Sequence, residues 1–386
     1  MERRCMNCMK LFPIPKGMEG QDNVCMYCGY VEHTKPETLS YLIPGTKLNN
    51  RYTVGVVLGA GGFGITYKAW DETFESIVAV KEYFPSGMVS RTEGVTVSIS
   101  ASKNTKSFEH GKVKFLKEAR NLAKFNHNSG VVSVSDFFEE NGTAYIVMEY
   151  LKGCNLKQYI LSHETPLPLD MIYKMSEKIF KTLADIHSAG LVHMDISPDN
   201  IFLCDDGNYK LIDFGAIKQA LGNQELSTTV VLKHGFAPIE QYTKQGNIGP
   251  WTDIYALGAT LYKMSTGIVP PEAVDRIYED GIEDPLRLNH SLPKHFAKAV
   301  MKALAVKPDK RFLNVMDFWA ALNNESEIDT DEKKADRSTS KVSDLDILGQ
   351  LGVRVVVQEL KVPTVDLDDI LDMGDSINNS QINEKK

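Results

Sequence analysis

Four glycines in six positions, Gly59-Ala60-Gly61-Gly62-Phe63-Gly64, follow the β-branched run Tyr52 to Leu58. Glycine has no Cβ, so such a string can turn tightly and let backbone N–H groups approach an anion closely. Alone the pattern is shared by dinucleotide folds and by simple turns. The residues after it separate these cases. A dinucleotide site needs a helix directly behind the glycines. Here Ile65-Thr66-Tyr67-Lys68-Ala69-Trp70 is β-branched and aromatic, which predicts a second strand. A glycine loop joining two strands is a lid over phosphates.

Strand and helix signals alternate densely behind that lid. Ile77 to Lys81 is a further strand, and the stretch from Glu82 to Ser107 is an insert whose middle predicts a hairpin. Phe115, Leu116, Ala119, Leu122 and Ala123 recur at helical spacing. Val131 to Phe138 and Ala144 to Glu149 predict a hairpin around Glu140-Asn141-Gly142. Beyond Leu156 the pattern becomes helical. Ile172, Met175, Ile179, Leu183 and Ile186 form an apolar stripe, Trp251 to Met264 is apolar nearly all round, and Val315 to Leu322 is the last strong helix. A strand-rich part therefore precedes a helix-rich part, which predicts two lobes with a cleft between them.

Chemistry collects at four places in order. After the glycine loop comes Lys81, at the end of the next strand but one. It is placed to reach phosphates, with Glu118 on the following helix as the carboxylate to hold it. Next is His193-Met194-Asp195-Ile196-Ser197-Pro198-Asp199-Asn200, and behind the strand Tyr209 to Ile212 stands Asp213-Phe214-Gly215. Asn200 and Asp213 offer the hard oxygens that magnesium prefers. Asp195 is suited to accept the proton of an incoming hydroxyl. Each motif alone is also good turn composition; the ordered set points to phosphoryl transfer.

The set resembles the protein-kinase signature over residues 51–324. The strings KEYFP, DISPDNIF and APIEQY are most similar to bacterial kinases of the eukaryotic serine/threonine type. The resemblance implies an α+β, two-lobed fold with a strand-rich N-lobe (51–151) and a helical C-lobe (152–324). It implies an ATP site made by Leu58, Gly59, Ala60, Gly61, Gly62, Phe63, Gly64, Thr66, Ala79, Lys81, Glu149 and Leu151, with Met148 behind the adenine and Glu149-Tyr150-Leu151 as the hinge. Lys81 would pair with Glu118, Asp195 would be the catalytic base, and Asn200 and Asp213 would hold Mg2+. Ala237-Pro238-Ile239-Glu240 is similar to the end of an activation segment, with Glu240 expected to meet Arg311 and Asp253 expected to prop the catalytic loop. The implied activity is transfer of the ATP γ-phosphate to Ser or Thr of protein substrates. The alternative is a nucleotide-binding pseudokinase that serves as a scaffold.

Three residues depart from the family pattern. Met194 stands where an arginine usually meets a phosphorylated activation loop, so independence from such phosphorylation is expected, although Ser227, Thr228 and Thr229 remain modifiable. Ser197 replaces a lysine that usually contacts the γ-phosphate. Lys233 stands near where a threonine usually bonds the catalytic aspartate; it either returns the missing positive charge or simply faces solvent.

Residues 1–33 stand apart in composition. Cys5-x-x-Cys8 and Cys25-x-x-Cys28 are two knuckles separated by positions 9–24, a spacing that suits tetrahedral structural Zn2+ in a small zinc ribbon. Residues 34–50 read as a linker, 325–345 as a disordered linker, and 346–386 as an acidic tail. The other cysteines, Cys154 and Cys204, are expected to be buried thiols. Residues 325–386 hold 15 acidic and 8 basic side chains, most of the net charge of −8. That balance opposes nucleic-acid binding, which needs clustered cations. A membrane-spanning helix takes about 20 consecutive apolar residues, and no run in the chain approaches that length. No secretory leader pattern is present either. A cytoplasmic protein off the membrane is therefore expected, with the ribbon or tail as partner-docking arms.

Overall fold

The computed structural model describes residues 2–14, 24–31, 38–91, 94–214, 218–219, 232–243 and 246–324. Gly215, Ser227, Thr228, Thr229, the linker at 325–345 and the tail at 346–386 lie outside the described residues, as do parts of the 34–50 linker and of the ribbon.

The expected two-lobed α+β architecture is present. Strands β1 (Lys47–Leu48), β2 (Tyr52–Ala60), β3 (Gly64–Asp71), β4 (Ser76–Tyr83), β5 (Val134–Glu140) and β6 (Thr143–Glu149) form one antiparallel sheet in the order β1-β2-β3-β4-β6-β5. Period-two alternation puts Tyr52 and Val54 of β2 and Tyr67 and Ala69 of β3 in the core. Register sets Lys81 on β4 between Thr66 of β3 and Ile146 of β6. Helix α1 (Thr105–Ala123) buries Phe115, Leu116, Ala119 and Leu122 in the same lobe.

The second lobe is built on α2 (Leu169–Ser188) and α3 (Pro250–Thr266). The α2 stripe of Ile172, Met175, Ile179, Leu183 and Ile186 is fully buried, and each such side chain contributes about 1.5–3 kcal/mol. Helix α3 is buried on nearly every face, and it ends at Gly267, whose φ of 80° closes the helix in the left-handed conformation. Among the described residues no helix is long and apolar enough to cross a membrane.

Cys154 and Cys204 are half-buried rather than buried. They lie on two short paired strands, Gly153–Asn155 and Ile201–Cys204, that line an open groove with Tyr159, Met171 and Tyr209. With Tyr209–Leu211 they make a small three-stranded sheet whose groove side is open, which is why the expected burial fails.

The insert after Lys81 is anchored by one buried charge pair. Glu82, fully buried, accepts bonds from Tyr67 Oη (3.0 Å), Tyr145 Oη (2.8 Å) and the Arg91 guanidinium. Arg91 also donates to the carbonyls of Val95 and Ser40, so one guanidinium ties the Val89–Ser90/Ser98–Ile99 hairpin and the chain before β1 to the sheet. Burial pushes the Glu82 carboxyl above its ordinary range, while Arg91 pulls it down. Removing one partner of a buried pair leaves an uncompensated charge. Arg91→Met is therefore expected to destabilise the fold by about 3–5 kcal/mol in denaturant titrations, and Arg91→Met with Glu82→Gln to recover part of that loss.

Candidate active site

The glycine lid is a hairpin turn between β2 and β3. Gly59 pairs with Thr66 and Ala60 with Ile65, and Gly61 N–H donates to the Gly64 carbonyl (2.9 Å). A Cβ on Gly59, Gly61 or Gly62 would meet nothing within 4 Å, so this face of the loop is open to a ligand. Gly64 differs: a Cβ there would lie 2.5 Å from the Glu82 carbonyl oxygen, so close packing on β4 requires glycine. The loop tip is also tied down. Phe84 N–H donates to the Phe63 carbonyl (3.0 Å) and Ser86 N–H to the Gly62 carbonyl (2.9 Å). Sequence reading missed this use of the insert's first residues, because backbone-to-backbone bonds leave no residue-type signature.

Below the lid, Lys81 Nζ lies 2.8 Å from Asp213 Oδ1 and 3.5 Å from Glu118 Oε1. Burial pushes the Glu118 carboxyl up to about 7, against the pull of the Lys81 ammonium. Burial lowers the Lys81 pKa, but the two carboxylates outweigh it and raise the value overall. Phe214 is buried against the His193 ring, with centroids 4.6 Å apart. Asp213 has a φ of 62°, so the backbone is held in the left-handed region there.

The catalytic-loop candidates converge on Asp195. Its Oδ2 and its backbone carbonyl each accept from Asn200 Nδ2 at 2.8 Å, which leaves the Asn200 amide oxygen as a hard donor. Its Oδ1 lies 2.9 Å from Lys233 Nζ, and that ammonium also donates to Ser197 Oγ at 2.8 Å. Burial pushes the Asp195 carboxyl up, and Lys233 opposes the shift. The oxygens of Asp213 and Asn200 are the ligand type that Mg2+ takes.

A buried frame holds this loop. Asp253 accepts from the backbone N–H groups of His193 (2.8 Å) and Met194 (2.7 Å) and contacts His187 Nε2 (2.8 Å). Met194 has a φ of 66°, and Gln241 Nε2 donates to its carbonyl at 2.6 Å. Arg311 grips both oxygens of buried Glu240, at 2.7 and 3.1 Å. Gln241 was missed by sequence reading; its only signal was its place beside Glu240. At the hinge, Glu149 accepts from Lys210 Nζ (2.6 Å) and Ser133 N–H (2.7 Å), so its side chain braces the lobe junction. Leu58 is exposed and Ala79 buried on the two strands beneath the lid.

The four N-terminal cysteines also meet. Their sulfurs lie within 4.8 Å of one another, with Cys5–Cys28 at 3.6 Å and Cys8–Cys25 at 3.7 Å. The edge of a zinc tetrathiolate tetrahedron is ~3.8 Å. The two knuckles are alike: Met9 N–H donates to the Cys5 carbonyl, and Gly29 N–H to that of Cys25. The first knuckle docks on the sheet. Val56 N–H donates to the Met6 carbonyl (3.0 Å), Arg4 stacks on Trp70 (3.7 Å), and a Cβ on Gly55 would lie 2.2 Å from that same carbonyl.

Residues 52–317 match the family model described as the protein kinase domain. The chain belongs to the protein kinase family. Members of this family use ATP and Mg2+. A probable serine/threonine-protein kinase of Clostridium acetobutylicum is 30% identical over 72% of the chain and 40% of its own length. Serine/threonine-protein kinase PknL of Mycobacterium tuberculosis is 29% identical over 71% of the chain and 65% of its own length. The chain thus spans well under half of the clostridial relative. The solved structure of PpkA-294 in its apo form is 36% identical, covering 73% of this chain and 99% of that one, with a TM-score of 0.66.

The Glu118 environment gives a pH signature. Below about pH 7 its carboxyl is mostly neutral and resembles glutamine; above, the carboxylate holds Lys81. The ratio of kcat/KM for ATP between wild type and Glu118→Gln is expected to be near one at pH 6. It should rise to about tenfold at pH 8, the equivalent of ~1.4 kcal/mol of charge-assisted pairing. A pH-independent ratio would reject the role of this carboxylate.

Proposed function

We propose that the chain is an active protein serine/threonine kinase. The single observation that carries this reading is the convergence at Asp195, whose carboxylate oxygens lie 2.8 Å from the Asn200 amide and 2.9 Å from the Lys233 ammonium while Lys81 meets Asp213. The open glycine lid fits the phosphates of ATP, and Lys81 is positioned to draw them in. The family relationship and the names of the relatives add support.

In this reading Asp195 takes the proton of a substrate hydroxyl as its oxygen attacks the γ-phosphorus. Asn200 holds that carboxylate in place through its Nδ2, and its Oδ1 together with Asp213 would hold Mg2+. The metal, when bound, neutralises charge on the phosphates. The bond from the γ-phosphorus to the bridging oxygen breaks, and ADP leaves. Glu149-Tyr150-Leu151 would receive the adenine, with Met148 behind it. The cysteine cluster is proposed to hold structural Zn2+, since four thiolates at tetrahedral spacing are its donor set.

Two measurements test these assignments. With labelled ATP and Mg2+, wild type is expected to label itself or a generic Ser/Thr acceptor, while Asp195→Ala loses about 10²–10⁴ in turnover but keeps ADP binding. Asp213→Ala should lose transfer as well. Equal labelling by all three proteins would sink the kinase reading. Metal analysis is expected to find about one zinc per chain. Cys8→Ser with Cys28→Ser should remove the zinc and change Trp70 emission as Arg4 withdraws.

A further inference from the structure

The catalytic loop from His193 to Asn200 contains no lysine or arginine. Its histidine is buried, and burial lowers its pKa, so it brings no cation. At position 197, just past Asp195, stands a fully buried serine, which carries no charge. The cation at this place comes from another part of the chain. Lys233 Nζ sits 2.9 Å from Asp195 Oδ1 and 2.8 Å from Ser197 Oγ, so serine and aspartate together aim it.

The backbone under Lys233 is fixed. Its carbonyl accepts from Phe236 N–H and Ala237 N–H, both at 3.0 Å. Gly235 turns with a φ of 77°, and a Cβ there would lie 2.4 Å from the Pro270 carbonyl. Glu240, a little further on, is clamped by Arg311. The ammonium is therefore delivered by a short turn anchored on its C-terminal side rather than by a solvent-facing side chain.

We propose that Lys233 is a catalytic residue whose ammonium contacts the transferred phosphoryl group and the Asp195 carboxylate. It takes the place of a cation absent from the catalytic loop, with Ser197 as its holder. The proton of the substrate hydroxyl goes to Asp195; Lys233 stays protonated throughout and supplies charge alone. A fixed cation matters most where charge moves in the transition state. In this arrangement the segment before Glu240 supplies part of the chemistry directly. No phosphate is needed to recruit it, which accords with Met194 in place of an anion-reading side chain. The inference rests on the kinase reading above.

The test is a charge exchange. Lys233→Met and Lys233→Thr are each expected to lower kcat about 10²–10³-fold while KM for ATP shifts only a few-fold. Ser197→Lys combined with Lys233→Thr moves the cation back into the catalytic loop and should recover at least about tenfold over Lys233→Thr alone, a coupling between sites in direct contact. If Lys233→Met folds poorly by thermal unfolding, the exchange variant decides, because it keeps both the charge and the turn. Wild-type kcat in Lys233→Met overturns this proposal alone, as does an exchange variant no better than Lys233→Thr. Absence of transfer by wild type overturns both the proposal and the kinase reading.

Discussion

Asp253 carries a fully buried carboxylate into the second lobe, and the active-site loop is arranged around it. A buried charge must be compensated, and this one is met by two consecutive backbone N–H groups and an imidazole. The two amides can point the same way only if the chain between them turns sharply. Met194 accordingly has positive φ, a conformation that costs a non-glycine residue about 1–2 kcal/mol. The three bonds to Asp253 offset that cost. The result is that Asp195, the next residue, faces the cleft in one orientation. Asn200 and Lys233 then close on a carboxylate already fixed.

The same logic links the lobes. Lys81 belongs to the sheet and Asp213 to the helical lobe, and their 2.8 Å contact crosses the cleft. Glu118 adds a second carboxyl from α1, which burial raises to about 7, so it is only partly ionised near neutral pH. The cleft is thus balanced rather than saturated with charge. Glu149 plays the matching part on the other side, where its bonds to Lys210 and Ser133 brace the passage between lobes.

Much of this was legible in the sequence because phosphoryl-transfer chemistry needs rare residue types at short spacings. The glycine lid and the aspartates each carry that signal within a short stretch, and the paired Cys-x-x-Cys knuckles carry the separate signal of a metal site. The proposed exchange of cation between positions 197 and 233 also has a sequence signal, since against the family pattern one position lacks a charge and the other carries one. What stayed hidden depends on backbone meeting backbone. The bonds from Phe84 and Ser86 to the lid and from Val56 to Met6 use groups every residue owns. Gln241 was hidden for a different reason: an amide on a turn is common, and only its aim at the Met194 carbonyl makes it matter. Cys154 and Cys204 were misjudged because nothing in their local residue pattern marks their strands as lining an open groove.

The seat of the first cysteine knuckle on the sheet has one more consequence. Gly55 and Val56 lie in the strand that ends in the glycine lid, and Trp70 lies on the next strand, opposite Thr53. All three are shaped for the knuckle: a missing Cβ, an N–H aimed outward, and an indole face covered by Arg4. A fragment beginning at Tyr52 would keep every residue of the cleft yet expose a shallow groove with an unpaired amide and a bare aromatic. The N-terminal residues therefore act as the sheet's own outer wall, and trimming the chain to the matched kinase region would create a sticky surface that the intact protein never shows.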